Sequence, residues 1–273
     1  MLELNKIYNL ACEEGLKLLD NESIDLTVTS PPYDNLRDYK GYSFDFETIA
    51  KELFRVTKKG GVVVWIVGDA TIDFCETLTS YKQVIFFVEN AGFNLLDTMI
   101  YGKKSYAPAY PNMRRYAQTI EFMFVLSKGK PKTFNPIQIQ KSETSILRDN
   151  TTKLVSFRQQ NGDLKSKRLS NNNIEKSASN LWIYDTGFGK SSKEQIQFEH
   201  PATFPELLVN DHLQSWSNEN EVILDPFMGS GTTAKVAMKL NRKFIGFEIS
   251  KEYHELSEKR IKMNVDLFCG DYC

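Results

Sequence analysis

The chain is poor in the residues that build metal centres and disulfide frameworks. Its four cysteines, Cys12, Cys75, Cys269 and Cys273, form no C-x-x-C pair, and with only three histidines they offer no zinc or iron–sulfur constellation. They read as reduced thiols, with Cys269–Cys273 the one conceivable bridge. No run approaches the roughly 18 apolar residues that cross a bilayer. The start, Met1 to Lys6, lacks the basic-then-apolar order of a secretion signal, so the expectation is a cytoplasmic protein without a membrane partner. Neither charge is in excess: 34 basic residues face 35 acidic ones, and the average alone points to no polyanionic partner.

What is present is an ordinary globular composition, 273 residues with 41% hydrophobic and 25% charged. Single cores stop growing near roughly 250–300 residues, so one large domain, or one domain carrying an insertion, is expected. The even charge hides a polarity. Residues 103 to 200 hold 17 Lys and Arg against 8 Asp and Glu, and the remainder holds 17 against 27. From Lys128 to Lys193 the texture turns polar, reaching Asn171-Asn172-Asn173. This stretch is either a solvated excursion or a segment that lies along nucleic-acid phosphates, with Phe157, Trp182 and Tyr184 interleaved.

The flanks carry strand, loop and helix in alternation. Ile24 to Val28 reads as a short buried strand and Asp45 to Lys58 as a helix ended by Gly60-Gly61. Val62 to Val67 follows as a β-branched strand, then a helix over Tyr81 to Asn90 that stops at Gly92, and strands near Leu95 to Tyr101 and Thr119 to Leu126. Near the C-terminus, Val222-Ile223-Leu224, a glycine loop, a helix over Thr232 to Leu240 and Phe244 to Phe247 make a compact βαβ unit. Too little chain follows Asp225 to complete a doubly wound sheet, so the N-terminal strands must complete it. The expected fold is α/β: a Rossmann-like, mostly parallel sheet assembled from both chain ends, with the basic stretch protruding between them.

Gly229-Ser230-Gly231-Thr232-Thr233-Ala234 fits the G-x-G-x-x-G/A form between a strand and a helix. Gly229 permits the tight turn, Gly231 is expected to admit a ligand close to the backbone, and Ala234 lets the helix pack on the strand. Glu248, 17 positions after Gly231, ends the next strand, where a carboxylate can accept ribose hydroxyls. The set indicates an adenosine-containing ligand, NAD remaining an alternative. Asp225-Pro226 and Phe227 crowd the start of the loop, which disfavours a dinucleotide.

Thr29-Ser30-Pro31-Pro32-Tyr33 lies just past the end of the first clear strand, the edge of an open sheet where ligands bind. Two prolines fix the backbone, so carbonyls can point into a cleft beside the Ser30 hydroxyl, with the Tyr33 ring as a flat wall. An exocyclic amine on a planar base needs such acceptors and such a face. A rigid turn with a surface tyrosine is the plainer alternative.

Ser30-Pro31-Pro32-Tyr33 and Asp225-Pro226-Phe227-Met228-Gly229-Ser230-Gly231-Thr232-Thr233, in that order, closely resemble the N6-adenine and N4-cytosine DNA methyltransferases that use S-adenosylmethionine. The order, with a basic segment between, resembles the β-class permutation of that family. His200 to Pro205, Ser179 to Trp182 and Arg242 to Glu248 extend the likeness over almost the whole chain. The resemblance implies a circularly permuted methyltransferase fold with a catalytic half over 1–127, a target-recognition insertion over 128–199 and a cofactor-binding half over 200–273. It implies that Asp225, Phe227, Gly229 and Gly231 hold the methionine and sugar end of the cofactor and Glu248 its ribose, with Phe204 beside the methionine moiety. One departure is visible: where such enzymes often carry an acidic residue that contacts the cofactor adenine, this chain has Asn9-Leu10-Ala11-Cys12, and the late Gly270-Asp271 is the alternative.

The implied partner is double-stranded DNA, from which the target base is flipped into the cleft. Tyr33 then stacks on the base while Ser30 and the Pro31 carbonyl hold the amine hydrogens, which aligns the nitrogen lone pair for in-line transfer. Such chemistry needs no metal. Cytosine C5 methylation is disfavoured because no cysteine follows a proline. A serine at the first loop position favours cytosine N4, with adenine N6 the alternative. Arg114, Arg115, Lys165, Lys167 and Arg168 are the candidate DNA contacts, joined by Lys103 and Lys104. An NAD-linked oxidoreductase, a non-catalytic DNA-binding module and a protein glutamine methyltransferase are the rival classes, the last disfavoured by motif order. A companion restriction endonuclease and a homodimer stay open.

Overall fold

Val62 to Val67 is a continuous apolar run because both of its sides are covered. In the computed structural model, which describes residues 2–32, 44–105, 115–142, 153–159, 161–169, 174–186 and 204–269, these six lie in strand β3 (Thr57–Val67) and are buried throughout. Val62, Val64 and Ile66 enter one core, and Val63, Trp65 and Val67 enter the other. The two-residue alternation of side chains thus serves two hydrophobic layers at once, as a sheet covered by helices on both faces requires.

The main sheet has eight strands: β1 (Lys6–Tyr8), β2 (Ile24–Thr29), β3, β6 (Asn94–Lys103), β7 (Ile120–Ser127), β12 (Leu181–Tyr184), β13 (Val222–Asp225) and β14 (Lys243–Phe247). Their spatial order is β1-β14-β13-β2-β3-β7-β6-β12, and β4 (Thr71–Ile72) and β5 (Cys75–Glu76) form a small antiparallel pair of their own. β7 runs antiparallel to both of its neighbours, and the other pairings are parallel. The two chain ends interleave at the centre, where Ile223 and Leu224 of β13 pair with Leu26 and Thr27 of β2. One face is covered by α4 (Glu206–Trp216) and α5 (Thr232–Lys239), which contribute Leu208, Val209, Leu213, Val236 and Ala237. The other is covered by α1 (Cys12–Lys17), α2 (Phe46–Val56) and α3 (Thr79–Phe86), through Leu16, Ile49, Leu53 and Val84. α6 (Lys251–Cys269) closes the chain. No helix among the described residues is long and apolar enough to cross a membrane.

Helix α2 starts where Asp45 accepts the Thr48 amide at 3.2 Å, and it ends at Val56, earlier than the glycine pair led us to expect. Gly60 and Gly61 belong to β3, where the pairing with β2 shifts between Ile24/Thr57 and Leu26/Val62. Gly60 has φ +78, and a Cβ on Gly61 would come within 2.9 Å of the Asp25 carbonyl. The pair is a strand irregularity, a use of glycine that local sequence does not distinguish from a helix stop. Helix α3, by contrast, does continue to Gly92, through a π turn over Phe87–Ala91, and Gly92 takes φ 99.

A second compact unit spans Pro136–Ser179. In it β8 (Gln138–Gln140) pairs antiparallel with β11 (Glu175–Ser177), and β9 (Lys153–Arg158) pairs antiparallel with β10 (Leu164–Leu169). Trp182 and Tyr184, read as interleaved in the polar stretch, lie instead on β12 of the main sheet. The Tyr184 ring is buried there and its hydroxyl donates to Asp211 at 2.8 Å.

Candidate active site

β2 and β13 are parallel neighbours, so the loops that leave their C-terminal ends leave side by side. β2 ends at Thr29 and β13 at Asp225, and the Thr29 hydroxyl donates to Asp225 Oδ1 at 2.7 Å. The Thr233 hydroxyl donates to Oδ2 at 2.6 Å, and the Phe227 amide donates to Oδ1 at 3.1 Å. All these donors are neutral. Burial therefore dominates and pushes the Asp225 carboxyl up to about 6, against the lowering pull of Thr233, Thr29 and the Phe227 amide. Ser30 follows Thr29 directly and is partly exposed, Pro31 is buried and Pro32 is partly buried. Tyr33 lies outside the described residues.

The glycine loop is held open from beneath. Gly229 has φ +53 and Gly231 φ +79, left-handed values that glycine adopts without strain. The Gly229 amide donates to Glu248 Oε2 at 2.8 Å, and the Ser250 amide to Oε1 at 2.9 Å. Burial raises the Glu248 carboxyl above its usual range, against these two amides. A carboxylate has about four acceptor positions, so lone pairs remain for hydroxyls. Gly231 has a packing use of its own. A Cβ there would meet the Ser257 Cβ at 3.0 Å, so the missing side chain makes room for α6. Ala234 is fully buried against the sheet, as expected of a small residue there.

Phe227 packs between Phe44 and Trp65, with ring centroids 5.7 and 6.4 Å away. Phe204, partly buried, packs against the core on the other face of the sheet from the one Phe227 meets. Asn9 follows β1, and its side-chain amide donates to the Glu248 and Ile249 carbonyls at 2.8 and 3.0 Å. It thus fastens β1 to the strand end that carries Glu248. Gly270 and Asp271 lie outside the described residues. Two buried carboxylates flanking a glycine turn at this sheet edge fit a ligand that brings positive charge and ribose hydroxyls, the chemistry of S-adenosylmethionine.

Sequence reasoning singled out Asp225 and Ser30 but not the two threonines that hold the Asp225 carboxyl, of which Thr29 adjoins Ser30 in the chain. Thr29 stands directly before the Ser-Pro-Pro sequence, and Thr233 closes Gly-Thr-Thr. Both could have been found by asking what satisfies an acid buried at a strand end.

The candidate DNA contacts divide. Arg115 is tied to the Thr71 hydroxyl and paired with Glu76 at 2.8 Å, so much of its donor capacity is used within the fold. Lys103 pairs with Glu121 at 2.5 Å and Lys104 with Asp185 at 3.4 Å. Lys165 is exposed on β10, the strand that also carries Lys167 and Arg168. Arg114 lies outside the described residues.

Residues 24–259 match the family model described as DNA methylase. The orphan methyltransferase M.BamHII of Bacillus amyloliquefaciens is 50% identical over 243 residues, which is 88% of this chain and 89% of that protein. Among solved structures, the PvuII DNA methyltransferase, described as cytosine-N4-specific, shares the fold with a TM-score of 0.68 at 20% identity, over 96% of this chain and 90% of its own. The M1.HpyAVI–SAM complex gives a TM-score of 0.60 at 25% identity, over 94% of this chain and 98% of its own.

Proposed function

The chain belongs to the DNA methylase family, and from that premise we propose that it transfers a methyl group from S-adenosylmethionine to the exocyclic N4 amine of a cytosine flipped out of double-stranded DNA. The observation that carries this reading is the 2.7 Å hydrogen bond from Thr29 to Asp225, which sets Ser30 one residue away from the acid that opens the glycine loop.

S-adenosylmethionine, when bound, supplies a methyl group already activated by its positive sulfur. The chain's residues bind, orient and exclude. Asp225, Phe227, Gly229, Gly231 and Phe204 hold the methionine and sugar end, and Glu248 takes ribose hydroxyls on its free lone pairs. Ser30 and the Pro31 carbonyl accept the two amine hydrogens, drawing the nitrogen lone pair out of conjugation with the ring. Pro31 and Pro32 keep that carbonyl fixed, and Tyr33 provides the stacking face. Positioning and electrostatics account for the rate, so a small displacement of Ser30 is costly.

Recognition of the DNA sequence falls to the insertion over 128–199, within which the unit Pro136–Ser179 stands. The choice of cytosine N4 rests on Ser30 at the first loop position. The PvuII enzyme, itself described as cytosine-N4-specific, contributes the fold. Mass spectrometry of nucleosides from DNA treated with the protein and the cofactor is expected to give N4-methylcytosine. N6-methyladenine would overturn the choice of amine, and unmodified nucleosides from a cofactor-binding protein would overturn the reaction.

A further inference from the structure

Arg260 is fully buried on α6, directly beneath the glycine loop. Its Nη1 donates to the Ser230 carbonyl at 3.0 Å and to the Thr232 hydroxyl at 2.9 Å, with a longer approach to the Ser230 hydroxyl at 3.4 Å. Its Nη2 donates to Glu206 Oε1 at 2.6 Å. Ser230 and Thr232 flank Gly231, the residue with φ +79 whose missing Cβ faces Ser257, one turn before Arg260. Glu206 opens α4 just after Phe204-Pro205 and also pairs with Lys235 of α5 at 2.8 Å. One guanidinium therefore joins three segments: the glycine loop, the start of the helix that follows Phe204, and the C-terminal helix.

Stability alone is a poor explanation for this arrangement. Removing a guanidinium from water is costly, and well-packed apolar residues often replace a buried ion pair without loss. What an apolar side chain cannot do is hold a loop carbonyl and a hydroxyl on one side while facing a carboxylate on the other. That task suits the planar fork of arginine better than the single ammonium of lysine. A loop with two left-handed glycines has little conformational preference of its own, so its shape must come from its partners.

We infer that Arg260 is a positioning residue for the cofactor loop: through Ser230 and Thr232 it sets the loop in the shape that takes S-adenosylmethionine, and through Glu206 it sets that loop relative to Phe204. The inference rests on the proposed cofactor reading. It is tested by titration calorimetry with S-adenosylmethionine and by steady-state kinetics on the wild type, Arg260→Met, Arg260→Lys and Glu206→Gln, with DNA affinity and melting temperature measured on each. Arg260→Met is expected to raise Kd and KM for the cofactor about tenfold or more, while kcat at saturating cofactor and DNA affinity stay within about twofold. Arg260→Lys is expected to recover part of the loss. Cofactor affinity equal to wild type in folded Arg260→Met overturns the inference. So does a loss shared in equal proportion by kcat and DNA binding, the mark of a merely structural role. If Arg260→Met does not fold, Glu206→Gln decides: several-fold weaker cofactor binding supports the inference and wild-type binding overturns it. A wild type that binds no S-adenosylmethionine would instead remove the cofactor reading, and the inference with it.

Discussion

At Asp225, burial and hydrogen bonding act in opposite directions, and the balance has a pH signature. Its carboxyl sits at about 6, above the ordinary carboxylate value, so the folded state binds a proton that the unfolded chain has already released. The group's stability contribution is therefore present at acid pH and is lost as pH rises through 6. Over two pH units that is worth roughly 3 kcal/mol. Melting temperatures of the ligand-free protein, compared with Asp225→Asn between pH 4 and 7, are expected to move against the wild type as pH rises. A constant difference would contradict the assignment. A cationic cofactor favours the carboxylate, so its affinity should strengthen over the same interval in the wild type and do so less steeply in Asp225→Asn, where Glu248 still titrates. Thr29→Val keeps the volume but removes the hydrogen bond, leaving part of a buried carboxyl unpaired at a cost of about 1–3 kcal/mol. Denaturant unfolding should show that loss and methyl-transfer assays a reduced rate, with Thr29→Ser restoring both. Asp225 was legible from its place before the glycine loop, whereas Thr29 was not, because a threonine at a strand end carries no local signal of its partner 196 positions away.

The strands that lie deepest were the most legible elements. β13, β14 and residues 62–67 of β3 are largely apolar runs bounded by Gly, Pro or polar turns, β2 keeps Ile24, Leu26 and Val28 in alternation with Asp25, Thr27 and Thr29, and burial on both faces writes these patterns into sequence. β1 and β12 were missed. Lys6–Tyr8 and Leu181–Tyr184 are short and sit in polar surroundings, and their strand character comes from pairing with β14 and β6. α4 and α6 were missed as well. α6 mixes charges along its length, and its buried polar residues Ser257 and Arg260 make sense only against the loop it supports. The basic surplus of the middle third was legible, but its use was not. Lys132 pairs with the buried Asp25 at 2.9 Å, and Lys128 donates to the Phe54 and Thr57 carbonyls at 2.9 Å each. The β10 strand, with Lys165 exposed, is the more promising DNA element. Lys165→Glu is expected to weaken DNA binding and reduce its salt dependence by about one counterion, with cofactor affinity unchanged. A gel-shift series across salt concentrations checks this, and an unaltered slope would remove Lys165 from the interface.

At the scale of the molecule, neither end of the chain holds a complete sheet, and β13 closes the gap by lying between β14 and β2. That single topological fact turns two distant motifs into adjoining loops, with Asp225 shared between them through Thr29. We propose that the two loops divide the work across this shared edge, one holding the donor and the other the base, and single-turnover methyl transfer by Ser30→Ala, preloaded with saturating S-adenosylmethionine, separates the two roles. A rate lower by about 100-fold or more with the cofactor Kd unchanged is expected, since the proposed assignment puts Ser30 on the amine and not on the donor. A wild-type rate, or a loss explained entirely by weaker cofactor binding, would contradict it.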